Sequence, residues 1–320
     1  MVIDVALLVG GWSAEREVSL EKGIKVEKAL TELGHNLRVI DVQKDVPALI
    51  KALTPKPDVV FNNLHGTGGE DGVIQGVLEM LGIPYTHSNV CASAIAMDKP
   101  RTKTLASTVG VPSPKGQLLS KEDYFAQADK LTRPFVIKPP CEGSSVGVYI
   151  VREGDNRSIV SEENWCFGEV ALVEDFIAGR ELTVAVLNGE AQAVTEIVSK
   201  TDFFDYEAKY QDQSTEYIMP AKIPESIYTL ALDYAQRVYN IVGCSGLARC
   251  DFRYDESRCE NGLYLLEINT QPGLTPESIG PSQVIYNGTS FNALCAHLIE
   301  TALCHKKENT KVKSSKRKVA

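Results

Sequence analysis

The chain has no pair of cysteines at C-x-x-C spacing and no group of histidines beside them. Its eight cysteines are scattered at 91, 141, 166, 244, 250, 259, 295 and 304, and it has only five histidines. That excludes the usual zinc and dithiol redox motifs, and the thiols read as the reduced cysteines of a cytosolic protein rather than a disulfide frame. Long apolar runs are missing too. The N-terminal MVIDVALLVGG carries Asp4 and is too short to span a bilayer, and neither a signal peptide nor a membrane helix is expected. The P-loop pattern G-x-x-x-x-G-K-[ST] is absent, and no internal repeat is found. Positive charge is scarce except at one end. The last fifteen residues, KKENTKVKSSKRKVA, hold seven Lys or Arg and one Glu, so that of the formal net charge of -9 the rest of the chain carries about -15. An acidic body argues against nucleic acid as a partner. The tail, residues 306–320, is polar without apolar periodicity and is expected to be disordered.

At 320 residues the chain can bury a large core in more than one lobe. The first ninety residues alternate strand and helix patterns, the mark of an α/β unit with a mostly parallel sheet. DVALLVGG reads as a buried strand, and Ser13 is a candidate N-cap for the helix AEREVSLEKGIKVEKALTEL. Strands follow at NLRVIDV, PDVVFNNLHG and IPYTHS, with the helix GVIQGVLEML before the last. In such sheets ligands lie beyond the carboxyl ends of the strands, where Gly10–Glu15 and His65–Asp71 both fall. Further on come the helix MDKPRTKTLASTVG, the strands RPFVIKPP, VGVYIV and VALVEDFI, and a hairpin turning at Asn188-Gly189. The segment KTDFFDYEAKYQDQSTEYIMPA is long, polar and aromatic without periodicity, the character of a disordered stretch or a lid. The amphipathic helix ESIYTLALDYAQRVYNIVG follows it, and the helix FNALCAHLIETAL closes the fold.

Two apolar strands, GLARCDFRYD and GLYLLEINTQPG, carry acid where Val or Leu would serve a core better. Side chains two apart on a strand share a face, so Arg249 goes with Asp251 and Glu267 with Asn269. The intervening ESRCENG is rich in turn formers, which makes the strands antiparallel neighbours and brings three oxygen-bearing side chains together. Such hard donors without Cys or His suit Mg2+ or Mn2+, while a surface hairpin with solvated acids is the plain alternative. The loop KPPCEGSSVGV, with Lys138 ending the strand before it, can wrap phosphate oxygens or be an ordinary β-turn. Lys99 in AMDKPRTK, and Glu174 and Glu181 in LVEDFIAGREL, are each equally consistent with surface charges.

Order decides among these readings. GGWSAEREVSL at 10–20, HGTGGEDGVIQG at 65–76, AMDKPRTK, KPPCEGSSVGV, DYEAKY, ARCDF and EINTQPGLT follow one another as they do in the D-alanine-D-alanine ligases of the ATP-grasp superfamily, which the chain resembles over almost all of residues 1–305. The resemblance implies an α/β protein with α+β lobes. An N-terminal Rossmann-like parallel-sheet domain (1–89) would precede a central (90–180) and a C-terminal (181–305) ATP-grasp subdomain, with a lid at about 200–219.

It also implies roles. Lys99 and Lys138 would hold ATP phosphates, Ser144 and Ser145 would close over them, and Lys209 would reach the terminal phosphate. Glu174 and Glu181 would bind adenine and ribose, with Phe176 and Ile177 packed at the base. Asp251, Glu267 and Asn269 would carry two Mg2+ or Mn2+ ions. Glu15 would take the ammonium of the first D-alanine beside His65. Arg249 and the Gly273 backbone would meet the developing oxyanion, and Ser278 and Ile279 the second D-alanine's carboxylate. Tyr210 would link to Glu15 and Ser144. A homodimer in a bacterial cytoplasm is expected, with D-alanine and ATP as partners and neither nucleic acid nor membrane.

Two departures stand out. His87 occupies a position where the family usually has Gly, and PESIGPSQV replaces the usual stretch after the metal strand at Ile279 and Gly280. Tyr210 supports D-alanine as the second substrate. The alternatives are a D-alanine-D-lactate or D-serine ligase, and a nucleotide-binding regulator without catalysis.

Overall fold

Residues 5–10 are an uninterrupted apolar run, and such a run is buried on both faces when it lies in the middle of a parallel sheet. It forms strand β1 (Asp4–Gly10), flanked in parallel by β2 (Asn36–Val42) and β3 (Val59–Asn62). Alternate side chains of β1 enter different cores. Val5, Leu7 and Val9 meet Val26, Ala29 and Leu30 of helix α1 (Arg16–Glu32), while Ala6 and Leu8 meet Leu49 of α2 (Val46–Ala52) and Ile74 and Leu78 of α3 (Val73–Leu81). The computed structural model describes residues 2–143, 147–155, 159–198 and 215–316, with side chains as far as residue 304.

The remaining described residues build two antiparallel sheets. The four-stranded one has the order β4 (Gly116–Ser120), β7 (Val170–Asp175), β5 (Phe135–Lys138), β6 (Tyr149–Val151). The five-stranded one has the order β10 (Glu216–Ile218), β9 (Glu190–Val198), β8 (Arg180–Leu187), β11 (Leu247–Tyr254), β12 (Leu263–Asn269). Hairpin β8–β9 turns at Asn188 and Gly189, both with positive φ, as the Asn-Gly pair requires. Helices α4 (Val90–Met97) and α5 (Lys99–Thr108) share the core of the five-stranded sheet with α7 (Glu225–Val242); α6 (Lys121–Gln127) lies on β4. Helices α8 (Ile279–Tyr286) and α9 (Phe291–Lys316) follow β12, and α9 packs on α1, so that Leu294 and Leu298 share a core with β1 and with Leu247 of β11.

Three local expectations change, and one helix was not foreseen. Ser13 is not the cap of α1: Glu15 holds that position, because Ser13 turns its hydroxyl to the His65 carbonyl at 2.7 Å. IPYTHS contributes only a bridge between Tyr85 and Val60. The stretch VCASAIAM, small and apolar without clear periodicity, forms α4. The tail expected to be disordered is helical in backbone through Lys316, since a packed helix, once nucleated, extends cheaply into Lys-rich sequence. His87 has φ 70, a left-handed conformation rare outside glycine, and it is buried with its ring edge-on to Phe61. Burial holds its imidazole neutral down to about 4, in keeping with a packing role.

Candidate active site

The loops beyond β1 and β3 meet the strand ends of β11 and β12 around a cavity of about 280 Å³. Glu15 sits at the N-terminus of α1, where the helix dipole favours a carboxylate. Ser13 ties this loop to the next by accepting from the Glu15 amide and donating to the His65 carbonyl. The loop after β3 is in turn latched to the loop after β12. Asn62 donates to the Gln271 side-chain oxygen at 2.9 Å, and the Gln271 amide donates to the Leu64 carbonyl. His65 Nδ1 lies 3.0 Å from Glu70 Oε1. Burial raises Glu70 to about 7 and lowers His65 to about 4, so the contact is a hydrogen bond sharing one proton and not an ion pair.

The acidic strands pair as their alternation implies, with Arg249 opposite Asn269 and Asp251 opposite Glu267. A register shift follows Asp251, the kind of irregularity that re-aims side chains beside a site. Arg249 grips the Asp251 carboxylate with two hydrogen bonds of 2.8 and 2.7 Å, and Thr183 donates to it at 2.6 Å. Lys99 approaches Glu267 at 3.2 Å and donates to the Glu142 carbonyl. The acids that the sequence assigned to metal are thus neutralised here by organic cations. Their donor chemistry still fits a hard divalent ion, being oxygen only and carried on paired strands, with Asn269 Oδ1 accepting from the Gln271 backbone amide at 2.7 Å. Arg249 and Lys99 lie where its charge would be felt.

A second, narrower cavity of about 80 Å³ lies between the two antiparallel sheets and shares Lys99, Glu142 and Glu267 with the first. Its walls are apolar, with Val136, Ile150, Phe176, Ile177 and Leu266, and its floor is charged. Glu174 receives Lys138 at 2.7 Å and also Lys103. Burial alone would raise Glu174, yet the two ammonium groups hold it below the ordinary carboxylate range. Burial together with the Lys138 charge lowers Lys103 to about 7. Arg253 lies 3.6 Å from Glu181, donates to the Ile177 carbonyl and stands 5.9 Å over the Phe176 ring.

The candidate residues therefore divide between two adjoining chambers. Glu15, His65, Arg249, Asn269, Gly273, Ser278 and Ile279 line the first. Lys138, Glu174, Phe176, Ile177, Glu181 and Asp251 line the second, and Lys99 and Glu267 line both. Ser144, Ser145, Lys209 and Tyr210 lie outside the described residues. Sequence reasoning gave no part to Lys22, Glu70, Lys103, Thr183 or Gln271. For Lys22 a signal existed, since it follows Glu15 and Ser19 at helical spacing and so shares their side of α1.

Two linked chambers, a polar one between the loops of the parallel sheet and the ends of β11 and β12, and one with apolar walls over lysines between the two antiparallel sheets, agree with the ATP-grasp ligase class that the motifs suggest. A family model described as D-ala D-ala ligase C-terminus matches residues 105–300, and one described as D-ala D-ala ligase N-terminus matches residues 46–88. The D-alanine--D-alanine ligase of Granulibacter bethesdensis is 51% identical over 94% of this chain and 98% of the relative, and that of Gluconobacter oxydans is 50% identical over 93% and 99%. The solved structure of the Bacillus anthracis D-alanine--D-alanine ligase complexed with ATP superposes with a TM-score of 0.81 at 31% identity, covering 97% of this chain and 99% of that one. The VanG D-Ala:D-Ser ligase of Enterococcus faecalis superposes at 0.79 with 29% identity, over 94% and 100%. The chain belongs to the D-alanine-D-alanine ligase family.

Proposed function

We propose that this protein joins two D-alanines into D-alanyl-D-alanine at the expense of ATP, through a D-alanyl phosphate, for peptidoglycan synthesis in a bacterial cytoplasm, and that it works as a homodimer. The observation that carries the reading is the meeting of two chambers of different chemistry at Lys99, Glu142 and Glu267. A carboxylate is a poor acceptor for an amine because oxide is a bad leaving group, so activation by the terminal phosphoryl group must come first. In the second chamber the apolar walls and Phe176 take the base, Glu181 the ribose, and Lys138 and Lys99 the phosphates. Asp251, Glu267 and Asn269 would hold two Mg2+ or Mn2+ ions, which when bound supply positive charge against the triphosphate.

In the first chamber Glu15 takes the ammonium of the first D-alanine, and its carboxylate faces the junction where the phosphoryl group arrives. The acyl phosphate is then attacked by the second amine. The oxygen that becomes negative in the tetrahedral intermediate meets Arg249 and the Gly273 amide, a contribution typically worth about 3 kcal/mol per donor. Ser278 and the first amide of α8 receive the second substrate. Eight curated relatives between 46% and 51% identical carry the name D-alanine--D-alanine ligase, which favours D-alanine over D-lactate or D-serine at that position. Mass spectrometry of the products formed from competing D-alanine, D-lactate and D-serine, with ATP and Mg2+, tests this. The dipeptide D-alanyl-D-alanine should dominate. Absence of D-alanine-dependent phosphate release would leave the non-catalytic regulator in its place.

A further inference from the structure

We propose that Lys22 is a second-substrate residue, an ammonium that binds the carboxylate of the attacking D-amino acid together with Ser278; the inference rests on the ligase reading above and names a residue that reading did not use. Lys22 lies one helical turn beyond Ser19 and two beyond Glu15 on the same side of α1. Long side chains on a helix lean toward its N-terminus, which carries this ammonium back over the chamber that Glu15 enters. It lines the cavity with Glu15, His65, Glu70, Arg249 and Gly273. A Cβ built on Gly273 would overlap the Lys22 ammonium and touch Ser278 Oγ at 3.3 Å, so both groups converge on one point beside the Gly273 backbone. A side chain at 273 would push the Lys22 ammonium off this point.

The charges of the chamber leave one task open. Two amino acids bring two ammonium and two carboxylate groups. Glu15 answers the first ammonium, and the second must become a neutral amine before it attacks. Arg249 is committed to Asp251 and to the reacting oxygen, and Lys99 lies at the phosphate junction. His65 is held neutral by burial. The second carboxylate then needs a cation on the Gly273 and Ser278 side, and Lys22 is the lysine or arginine that the structure brings there among the described residues. Ser278 stands at the N-cap position of α8 with its hydroxyl turned to Thr275 Oγ1 at 2.9 Å, not to its own helix, which keeps it at the cavity edge. Burial lowers the Lys22 pKa while the nearby Glu15 carboxylate raises it, and a substrate carboxylate would add to that support.

The test measures the Michaelis constants of both amino-acid sites in the full-length enzyme and in Lys22→Met, with D-alanine and with D-alaninamide, which lacks the carboxylate, as acceptor. The constant for D-alanine at the second site should rise about thirtyfold, as expected for one charge-assisted hydrogen bond. That for D-alaninamide and that for the first site should stay within about twofold, and Lys22→Arg should recover most of the loss. The same ratio is read independently in Lys22→Gln. An equal loss for both acceptors, or a change confined to the first site, overturns the proposal, the latter by showing that Lys22 serves only to neutralise Glu15. If the unaltered enzyme makes no dipeptide, the ligase reading falls as well; if it does and Lys22→Met is unchanged, this inference alone is wrong.

Discussion

The two chambers handle charge in different ways. The amino-acid chamber gathers acids and bases in nearly balanced numbers, with His65 and Glu70 sharing a proton and Glu15 near Lys22. The nucleotide chamber pairs Lys138 and Lys103 with the buried Glu174, and Arg249 with the buried Asp251, beneath apolar walls. The first is built for zwitterions whose charges must each be matched. The second suits a polyanion with a flat apolar head, which its apolar walls fit and whose charge meets Lys99 and Lys138. Substitutions should therefore separate cleanly by chamber, and each of the following would blur the distinction if it did not.

Glu15→Gln should have the largest effect, raising the Michaelis constant for the first D-alanine about a hundredfold or more, because it removes the buried partner of an ammonium. Calorimetric ATP affinity should stay within about threefold. Lys138→Met should weaken ATP binding about 10- to 100-fold by the loss of a charge-assisted contact, with D-alanine binding unaltered. Phe176→Ala should weaken ATP about tenfold through lost apolar contact, and this loss should be insensitive to salt, unlike that of Lys138→Met.

Glu70→Gln should give the smallest change, visible in stability against pH. Glu70 keeps its proton up to about 7 in the folded chain, whereas an ordinary glutamate releases it near 4.5. The folded state binds more protons across that window, so this group makes the protein less stable as pH rises from about 4.5 to 7. Urea unfolding of the two proteins should therefore diverge across the window, the unaltered chain losing more. Parallel curves would mean that Glu70 is ionised throughout.

Much of this was legible in the sequence because it rests on period and order. The uninterrupted β1, the Asn188-Gly189 turn and the facing of Asp251 with Glu267 all follow from alternation and turn chemistry, and all are present. Helix α4 was not legible, since its small apolar residues fit any period. Ser13 misled because its hydroxyl had a choice between its own helix and a carbonyl 52 residues away, and only tertiary structure makes that choice. The same holds for Gln271 and Lys103, ordinary residues in sequence whose partners at Leu64 and Glu174 come from distant strands and loops. Lys22 could have been found from its helical spacing to Glu15, but nothing in the sequence shows that α1 faces Gly273.

The junction at Lys99 and Glu267 matters only if a phosphoryl group passes from one chamber to the carboxylate in the other. D-alanine labelled with 18O in both carboxylate oxygens reads this directly. Each dipeptide formed should release one phosphate carrying a single 18O, taken from the first substrate as the acyl phosphate collapses. Dipeptide accompanied by unlabelled phosphate would contradict transfer across the junction.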